Sequence, residues 1–207
     1  FLRRPDELAA EQMREVRARV GGQALYSYGI PGLDLFENGE RRMMPGPAPK
    51  QVSALVGLSG SGKTTYVAEM ALGIARQRRR VCIGAWEVGS GMNLELLSTI
   101  SLGWPRQKTL TGACTPEELD ALHKRMEQIG KWVTFLDKPF YGRPGGAQRG
   151  RYTNDENLDM LQGYIEASGA EVCIFDLWKR CLRHTDPDEE EHALIRQQAI
   201  AEATGTH

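Results

Sequence analysis

Short apolar runs alternate along the chain with longer segments in which apolar and polar residues are mixed. Four largely apolar runs lie at residues 51–56, 81–86, 132–136 and 172–175. Because apolar and polar positions do not strictly alternate in them, they predict strands that are buried on both faces. Helical segments between such strands predict a mostly parallel sheet with helices on both faces, so the expected fold class is α/β.

The mixed segments predict helices, and several of their ends carry capping residues. The expected helices cover about residues 63–77, 94–102, 116–129, 154–168 and 189–203. Thr115 can cap the third of these, in front of Pro116 at the first helical position. Gly169 and Gly205 are placed to end the last two.

A charged amphipathic helix is expected at residues 5–20, ahead of the α/β region. Its apolar positions fall near one face at helical spacing: Leu8, Met13, Val16 and Val20. Two glycines end this helix and a short linker follows. We therefore divide the chain into a linker helix with its linker, residues 1–27, and a core, residues 28–207.

The composition is that of an ordinary soluble globular protein. Hydrophobic residues make up 41% and charged residues 26% of the 207 residues. The sequence has neither an apolar run near the ~18 residues of a membrane span nor a signal-peptide core, so a cytoplasmic protein without a membrane partner is expected. Because the chain begins with Phe1 instead of Met, we expect its natural start to lie further upstream.

Cysteine spacing and charge add little chemistry of their own. Cys82, Cys114, Cys173 and Cys181 lack metal-ligand spacing and are expected to be reduced thiols. The net charge is −1, and the basic run at residues 76–80 is typical of a solvated face. A near-neutral chain can still bind nucleic acid, because only the contact surface needs to be basic.

The strongest chemical signal is the glycine-rich segment GLSGSGKT at residues 57–64. Glycines let backbone N–H groups turn inward around an anion, and the N-terminus of the next helix points positive charge at it. Lys63 adds a full charge for the phosphates of ATP, and Thr64 offers a hydroxyl to Mg²⁺. The expected ATP-binding residues are Gly57, Ser59, Gly60, Ser61, Gly62, Lys63, Thr64 and Thr65.

Two carboxylates end apolar runs downstream of this loop. Asp176 ends the fourth run and is expected to reach the Mg²⁺ shell together with Thr64. Glu87 ends the second run and is expected to be the general base that polarises the attacking water. Because the carboxyl ends of parallel strands meet at one sheet edge, the predicted catalytic residues are Lys63, Glu87 and Asp176.

Together these motifs resemble the RecA-type ATPase core, and within it the DnaB-type ring replicative helicases, including phage helicase-primases. YGIPGLD at residues 28–34 is similar to the start of that core, and residues 57–72 are similar to its phosphate loop and helix. VCIGAWE, ending at Glu87, resembles the strand that carries the family's catalytic glutamate. VCIFDLW, around Asp176, resembles its Walker B strand.

The resemblance implies a RecA-like P-loop core that is incomplete at its C-terminal end. The family's next strand, with a polar sensor residue, would begin near His207 and lie between the phosphate-loop and Walker B strands. A DNA-contacting loop and an arginine finger would follow it. We therefore expect the chain to be part of a longer protein.

The resemblance also implies an ATP-hydrolysing helicase motor that translocates on single-stranded DNA in a bacterial or phage-infected cell. It implies a homo-oligomer, as a hexameric ring in which the N-terminal helix contacts a neighbouring subunit, with a primase or a helicase loader as a further partner. The basic residues expected to contact DNA are Lys179, Arg180 and Arg183 after the Walker B strand, and Arg143, Arg149 and Arg151 in the loop at 139–152.

Two alternative functions stay open. A RecA/RadA-like recombinase would carry a glycine-rich DNA loop after the Walker B strand, whereas residues 183–191 are largely acidic and contain no glycine. A non-helicase RecA-type ATPase switch in plasmid or phage replication would hydrolyse ATP without unwinding DNA.

Overall fold

The computed structural model describes residues 13–14, 17, 27–30, 36–37, 40–41, 48–86, 88–136, 154–176 and 187–207. Within them the strands are β1 (Phe36–Glu37), β2 (Glu40–Arg41), β3 (Val81–Ala85), β4 (Val133–Leu136) and β5 (Val172–Asp176). The helices are α1 (Lys63–Arg76), α2 (Ser90–Ser101), α3 (Gln107–Leu110), α4 (Pro116–Gly130), α5 (Asn154–Ser168) and α6 (Pro187–Thr204). Of the expected N-terminal helix, Met13, Arg14 and Arg17 are described; they are helical and exposed.

A three-stranded parallel sheet with the order β4–β3–β5 forms the centre of the fold. The strands start in register, since Val81 of β3 is opposite both Val133 of β4 and Val172 of β5. β1 and β2 form a separate antiparallel pair. The prediction of an α/β fold with a parallel sheet is confirmed.

Each face of this sheet carries its own apolar cluster. Side chains at alternate positions of β3 and β5, such as Ile83 and Ile174, pack with α1 and α2 on one face. The other face carries Cys82 and Trp86, which cluster with apolar residues of α5 and α6 such as Leu158. Helices therefore cover both faces, as the continuous apolar runs predict.

Helix α4 begins with the cap that the sequence predicts. The Thr115 hydroxyl accepts a hydrogen bond from the Glu118 N–H over 3.3 Å, and the Glu118 carboxylate accepts one from the Thr115 N–H over 2.9 Å. This capping box satisfies two N–H groups that the helix itself leaves free. The Lys108 ammonium, which donates to Glu118, is the main cause that lowers the pKa of this carboxyl.

The predicted strand at residues 51–56 is wrong: no strand assignment covers this segment, and Val56 is 89% exposed. A strand requires a hydrogen-bonded neighbour, and none of the described residues pairs with this segment as a strand. The space beside β5 is entered instead by His207, whose N–H donates to Glu171 O over 3.1 Å and whose carbonyl accepts from the Cys173 N–H over 2.7 Å. On its other side, Thr206 O accepts from the Lys50 N–H over 2.7 Å.

Residues 27–30 are held against α1 by a backbone contact between two glycines. A Cβ built on Gly29 would lie 2.2 Å from the Gly73 Cα, and one built on Gly73 would lie 2.3 Å from the Tyr28 carbonyl oxygen. Gly29 also has a φ of +68°, which disfavours any side chain. Beside this contact, Gln77 Nε2 donates to Ser27 O over 2.8 Å and Gln77 Oε1 accepts from the Ser27 N–H over 3.1 Å.

We expect Gly73→Ala to lower the free energy of unfolding by roughly 1–3 kcal/mol, the usual cost of an extra methyl group in a packed interior. The added Cβ would overlap the Tyr28 carbonyl, and α1 or residues 27–30 would have to shift. The matched control is Gly163→Ala, within α5, where no atom lies within 4 Å of an added Cβ. The free energy of unfolding of the control should rise by roughly 0.5–1 kcal/mol, because alanine is favoured over glycine within a helix. Urea denaturation compares the two variants, and equal gains in both would contradict the contact.

Candidate functional site

The glycine-rich loop leads directly into α1, and its backbone has the predicted turns. Gly60 and Gly62 have φ values of +77° and +87°, in the left-handed region that glycine adopts without strain. Gly62 is the N-cap of α1, and no side chain caps the helix there. Uncapped N–H groups at a helix N-terminus are suited to bind an anion such as a phosphate.

Lys63, the first residue of α1, folds back over the loop. Its Nζ donates to Gly57 O over 2.8 Å and to Leu58 O over 2.7 Å. Gly57 is exposed, and the Ser61 side chain lies close to it. Two carbonyl oxygens therefore hold the ammonium at the loop, and phosphate oxygens can replace them as its hydrogen-bond acceptors.

Thr64 and Asp176 meet, although 112 positions separate them in the sequence. Thr64 Oγ1 donates to Asp176 Oδ2 over 2.9 Å, which joins the first turn of α1 to the end of β5. A hydroxyl and a carboxylate are both hard oxygen ligands of the kind that Mg²⁺ prefers. The donor atoms at this point therefore fit Mg²⁺, as the sequence predicts.

The remaining predicted loop residues also lie around this position. Ser59, Gly60 and Ser61 form the exposed turn ahead of α1, with the Ser61 N–H donating to Leu58 O over 3.2 Å. Thr65 lies in the first turn of α1.

Several predicted functional residues lie outside the described residues. These are Glu87, Lys179, Arg180, Arg183, Arg143, Arg149 and Arg151. Trp86, which directly precedes Glu87, and Asp176, three residues before Lys179, are described at the carboxyl ends of β3 and β5. The order of these two strands is as required for Glu87 and Asp176 to follow adjacent strands along the sheet.

An aromatic pair beside these strand ends was not predicted as a pair. The rings of Trp86 and Phe175 are stacked, with centroids 5.1 Å apart and planes inclined by 10°. The Trp86 N–H donates to Asp176 O over 3.2 Å. The sequence signal was present, because Trp86 and Phe175 each directly precede one of the two predicted carboxylates.

Two cysteines are neighbours on adjacent strands, on the same sheet face as the aromatic pair. Cys82 and Cys173 are opposite residues of β3 and β5, and both are free thiols, as is Cys114. The hydrogen bond between them lowers the pKa of Cys82 and, together with burial, raises the pKa of Cys173. The fourth cysteine, Cys181, lies outside the described residues.

Comparison with known proteins identifies no family for the chain, so its functional assignment depends on the residues of the candidate site. No protein-family model matches the chain, and a search of the curated proteins finds no match. In the described part of the chain, no helix combines the length and the apolar character that a membrane crossing requires. Over the same residues, no cluster of three or more His, Cys, Asp or Glu side chains suits a metal ion. The candidate Mg²⁺ ligands are instead one hydroxyl and one carboxylate.

Proposed function

We propose that the chain binds ATP with Mg²⁺ and hydrolyses it. The observation that carries this proposal is the hydrogen bond between Thr64 and Asp176. It connects the residue next to the loop lysine with a carboxylate at the end of a buried parallel strand. Neither a chance glycine-rich turn nor a strand-end aspartate alone requires such a contact.

The loop and α1 supply the binding energy for the phosphates in this proposal. The left-handed turns at Gly60 and Gly62 allow backbone N–H groups to surround an anion, and the N-terminal end of α1 adds its partial positive charge. Lys63 exchanges its two carbonyl partners for phosphate oxygens, so that its ammonium keeps hydrogen-bond acceptors in both states. Thr64 and Asp176 hold Mg²⁺, which when bound neutralises charge on the β- and γ-phosphates.

Glu87 is the proposed general base. It follows Trp86, whose N–H donates to Asp176 O at the end of the neighbouring strand. A carboxylate in this chain position takes a proton from the water that attacks the γ-phosphate, and the γ-phosphoryl bond to ADP breaks. Inorganic phosphate and ADP leave, and the proton passes from the glutamic acid to solvent.

For the biological role we propose a motor domain of a ring-shaped replicative helicase on single-stranded DNA. This step rests on the resemblance of the segments around residues 28–34, 57–72, 81–87 and 172–178 to that family. A recombinase is less well supported, because residues 183–191, downstream of the Walker B aspartate, are largely acidic and contain no glycine. A replication ATPase switch would share the site and differ only in its failure to unwind DNA.

We expect Asp176→Asn to weaken Mg²⁺-dependent nucleotide binding by roughly 10–100-fold, since removing one charged ligand costs about 1.5–3 kcal/mol. Titration of a fluorescent ATP analogue, with and without Mg²⁺, measures the effect. Binding in the absence of Mg²⁺ should change little, because Asp176 contacts the phosphates through the cation. The control is Asp120→Asn on the exposed face of α4. An Asp176→Asn protein with an unchanged Mg²⁺ requirement would remove Asp176 from the site.

Charge reversal at Arg180 and Arg183 is expected to weaken binding of single-stranded DNA and to flatten its salt dependence. Each lost phosphate contact lowers the slope of log K against log salt by about 0.7 for a single strand. Fluorescence anisotropy of a labelled oligonucleotide over a salt series gives this slope. Reversal of the exposed Lys124 and Lys131 is the matched control. If the two double variants share one slope, Arg180 and Arg183 do not contact DNA. A separate strand-displacement assay distinguishes a helicase, which unwinds DNA, from a switch whose ATPase activity is only stimulated by DNA.

A further inference from the structure

The stacked Trp86 and Phe175 rings occupy the sheet face opposite to the Thr64–Asp176 contact. Adjacent residues of a strand point to opposite faces, so Phe175 and Asp176 project to different sides of β5. Phe175 and Trp86 belong to the apolar cluster that α5 and α6 cover, and Trp86 is only 4% exposed. Asp176 contacts α1, which packs on the other face.

Gly84 provides the space for this stack. It is opposite Phe175 in the β3–β5 register. A Cβ built on Gly84 would lie 2.7 Å from Phe175 Cδ1 and 2.9 Å from Trp86 Cζ2. The two rings therefore lie directly against the backbone of β3, where any side chain would displace them.

The stack acts on the same short piece of backbone that carries the catalytic carboxylate. The regular pairing of β3 and β5 ends with Ala85 opposite Asp176. Beyond it, the Trp86 N–H donates to Asp176 O over 3.2 Å. The stack therefore connects the two strand ends through side chains while this hydrogen bond connects them through the backbone.

We infer that Trp86 and Phe175 are positioning residues, which hold the ends of β3 and β5 in place. The end of β5 then presents Asp176 to Thr64, and the end of β3 sets the point from which the chain continues to Glu87. This inference rests on the proposed ATPase function. Both rings lie on the face opposite to the Thr64–Asp176 contact, so each acts through its neighbour in the chain. Partners that orient a metal-binding carboxylate in this way are commonly worth about 10–100-fold in metal affinity or activity.

The test replaces either ring with leucine, which is apolar but smaller and removes the stacking. Phe175→Leu and Trp86→Leu should each lower kcat for ATP hydrolysis by about tenfold and raise the Mg²⁺ concentration for half-maximal nucleotide binding by a similar factor. Trp86→Phe, which keeps an aromatic face, should restore both values to within about twofold of the wild-type chain. Whichever leucine variant folds is sufficient for the test.

A core variant far from the strand ends controls for loss of stability. Ile165 is buried in the same cluster, near the end of α5 that leads toward the start of β5. Ile165→Ala should lower the melting temperature while its kcat and Mg²⁺ dependence stay at the wild-type values. If Ile165→Ala lowers kcat as much as the leucine variants do, the stack has a stabilising role only and the inference is overturned.

Amide hydrogen exchange of Trp86 separates this inference from the proposed function. Loss of the stack should speed exchange of the backbone N–H at position 86 by about tenfold or more, since its hydrogen bond to Asp176 O would open more often. A wild-type chain that neither binds nor hydrolyses ATP would overturn the proposed function, and the exchange rate would still decide whether the stack fixes the strand ends. Unchanged exchange in both leucine variants would overturn the positioning role.

Discussion

Replacement of Lys63 with alanine is expected to abolish detectable ATP hydrolysis and to raise the dissociation constant for ATP by about 100-fold. A charged hydrogen-bond donor to phosphate contributes roughly 1.5–3 kcal/mol, and the ammonium is the only full positive charge between Gly57 and Thr65. Its alanine variant would keep the turns at Gly60 and Gly62, because these depend on the backbone.

The fold should survive this change. Lys63 Nζ bonds to carbonyls of the exposed loop itself and belongs to neither apolar cluster. Circular dichroism melting should therefore match the wild-type chain within a few degrees. Lys124→Ala, on the exposed face of α4, removes the same charge elsewhere and should leave ATP binding unchanged. Hydrolysis by Lys63→Ala at the wild-type rate would refute the proposed ATPase site.

Glu87→Gln is expected to lower hydrolysis by about 100-fold or more while ATP binding stays close to that of the wild-type chain. Glutamine has nearly the same shape as glutamate but cannot accept the proton of the attacking water. The prediction thus differs from that for Asp176→Asn, which weakens Mg²⁺-dependent binding itself.

Single-turnover hydrolysis of bound ATP isolates the chemical step for this comparison. Glu127→Gln, an exposed glutamate of α4, is the control for the change of charge. Full activity in Glu87→Gln would place the base elsewhere and would also weaken the assignment to a RecA-type core.

The sequence predicted those features that depend on neighbouring residues. Thr115 caps α4 as expected, because a hydroxyl followed three residues later by a glutamate forms a local arrangement. Gly169 follows α5 with a φ of +59°, as expected for a glycine at a helix end. The strands at 81–86, 132–136 and 172–175 are confirmed to within about one residue, because each apolar run pairs with a neighbouring parallel strand.

The strand at 51–56 shows why an apolar run is insufficient evidence. Hydropathy indicates that burial of a segment's side chains would be favourable, but a strand forms only where another backbone pairs with the segment. Next to residues 48–50 the structure has Thr206 and His207, which occupy the space beside β5 for only two residues. Leu55, Val56 and Leu58 are consequently exposed despite their apolar side chains.

Contacts between distant residues were the other part that the sequence left open. That Thr64 and Asp176 lie together was expected from the motifs, since both were predicted to be ligands of one Mg²⁺; their direct hydrogen bond was not predicted. The Gly29–Gly73 contact and the Trp86–Phe175 stack were not predicted either, because no local pattern specifies which small or aromatic residues will meet. Helix α3 was also missed, since a four-residue helix is too short to show a period.

The Gly29–Gly73 contact gives α1 a mechanical property. The helix is a rod of about 21 Å, at 1.5 Å for each of its 14 residues. One end bears the phosphate loop, and residues 27–30 are clamped near the other through Gly73 and Gln77. A helix keeps a nearly constant rise along its axis, so a displacement of residues 27–30 along that axis would also move Lys63, about 15 Å away and ten residues along the helix. Residues 27–30 and the glycine-rich loop are thus attached near the two ends of one helix.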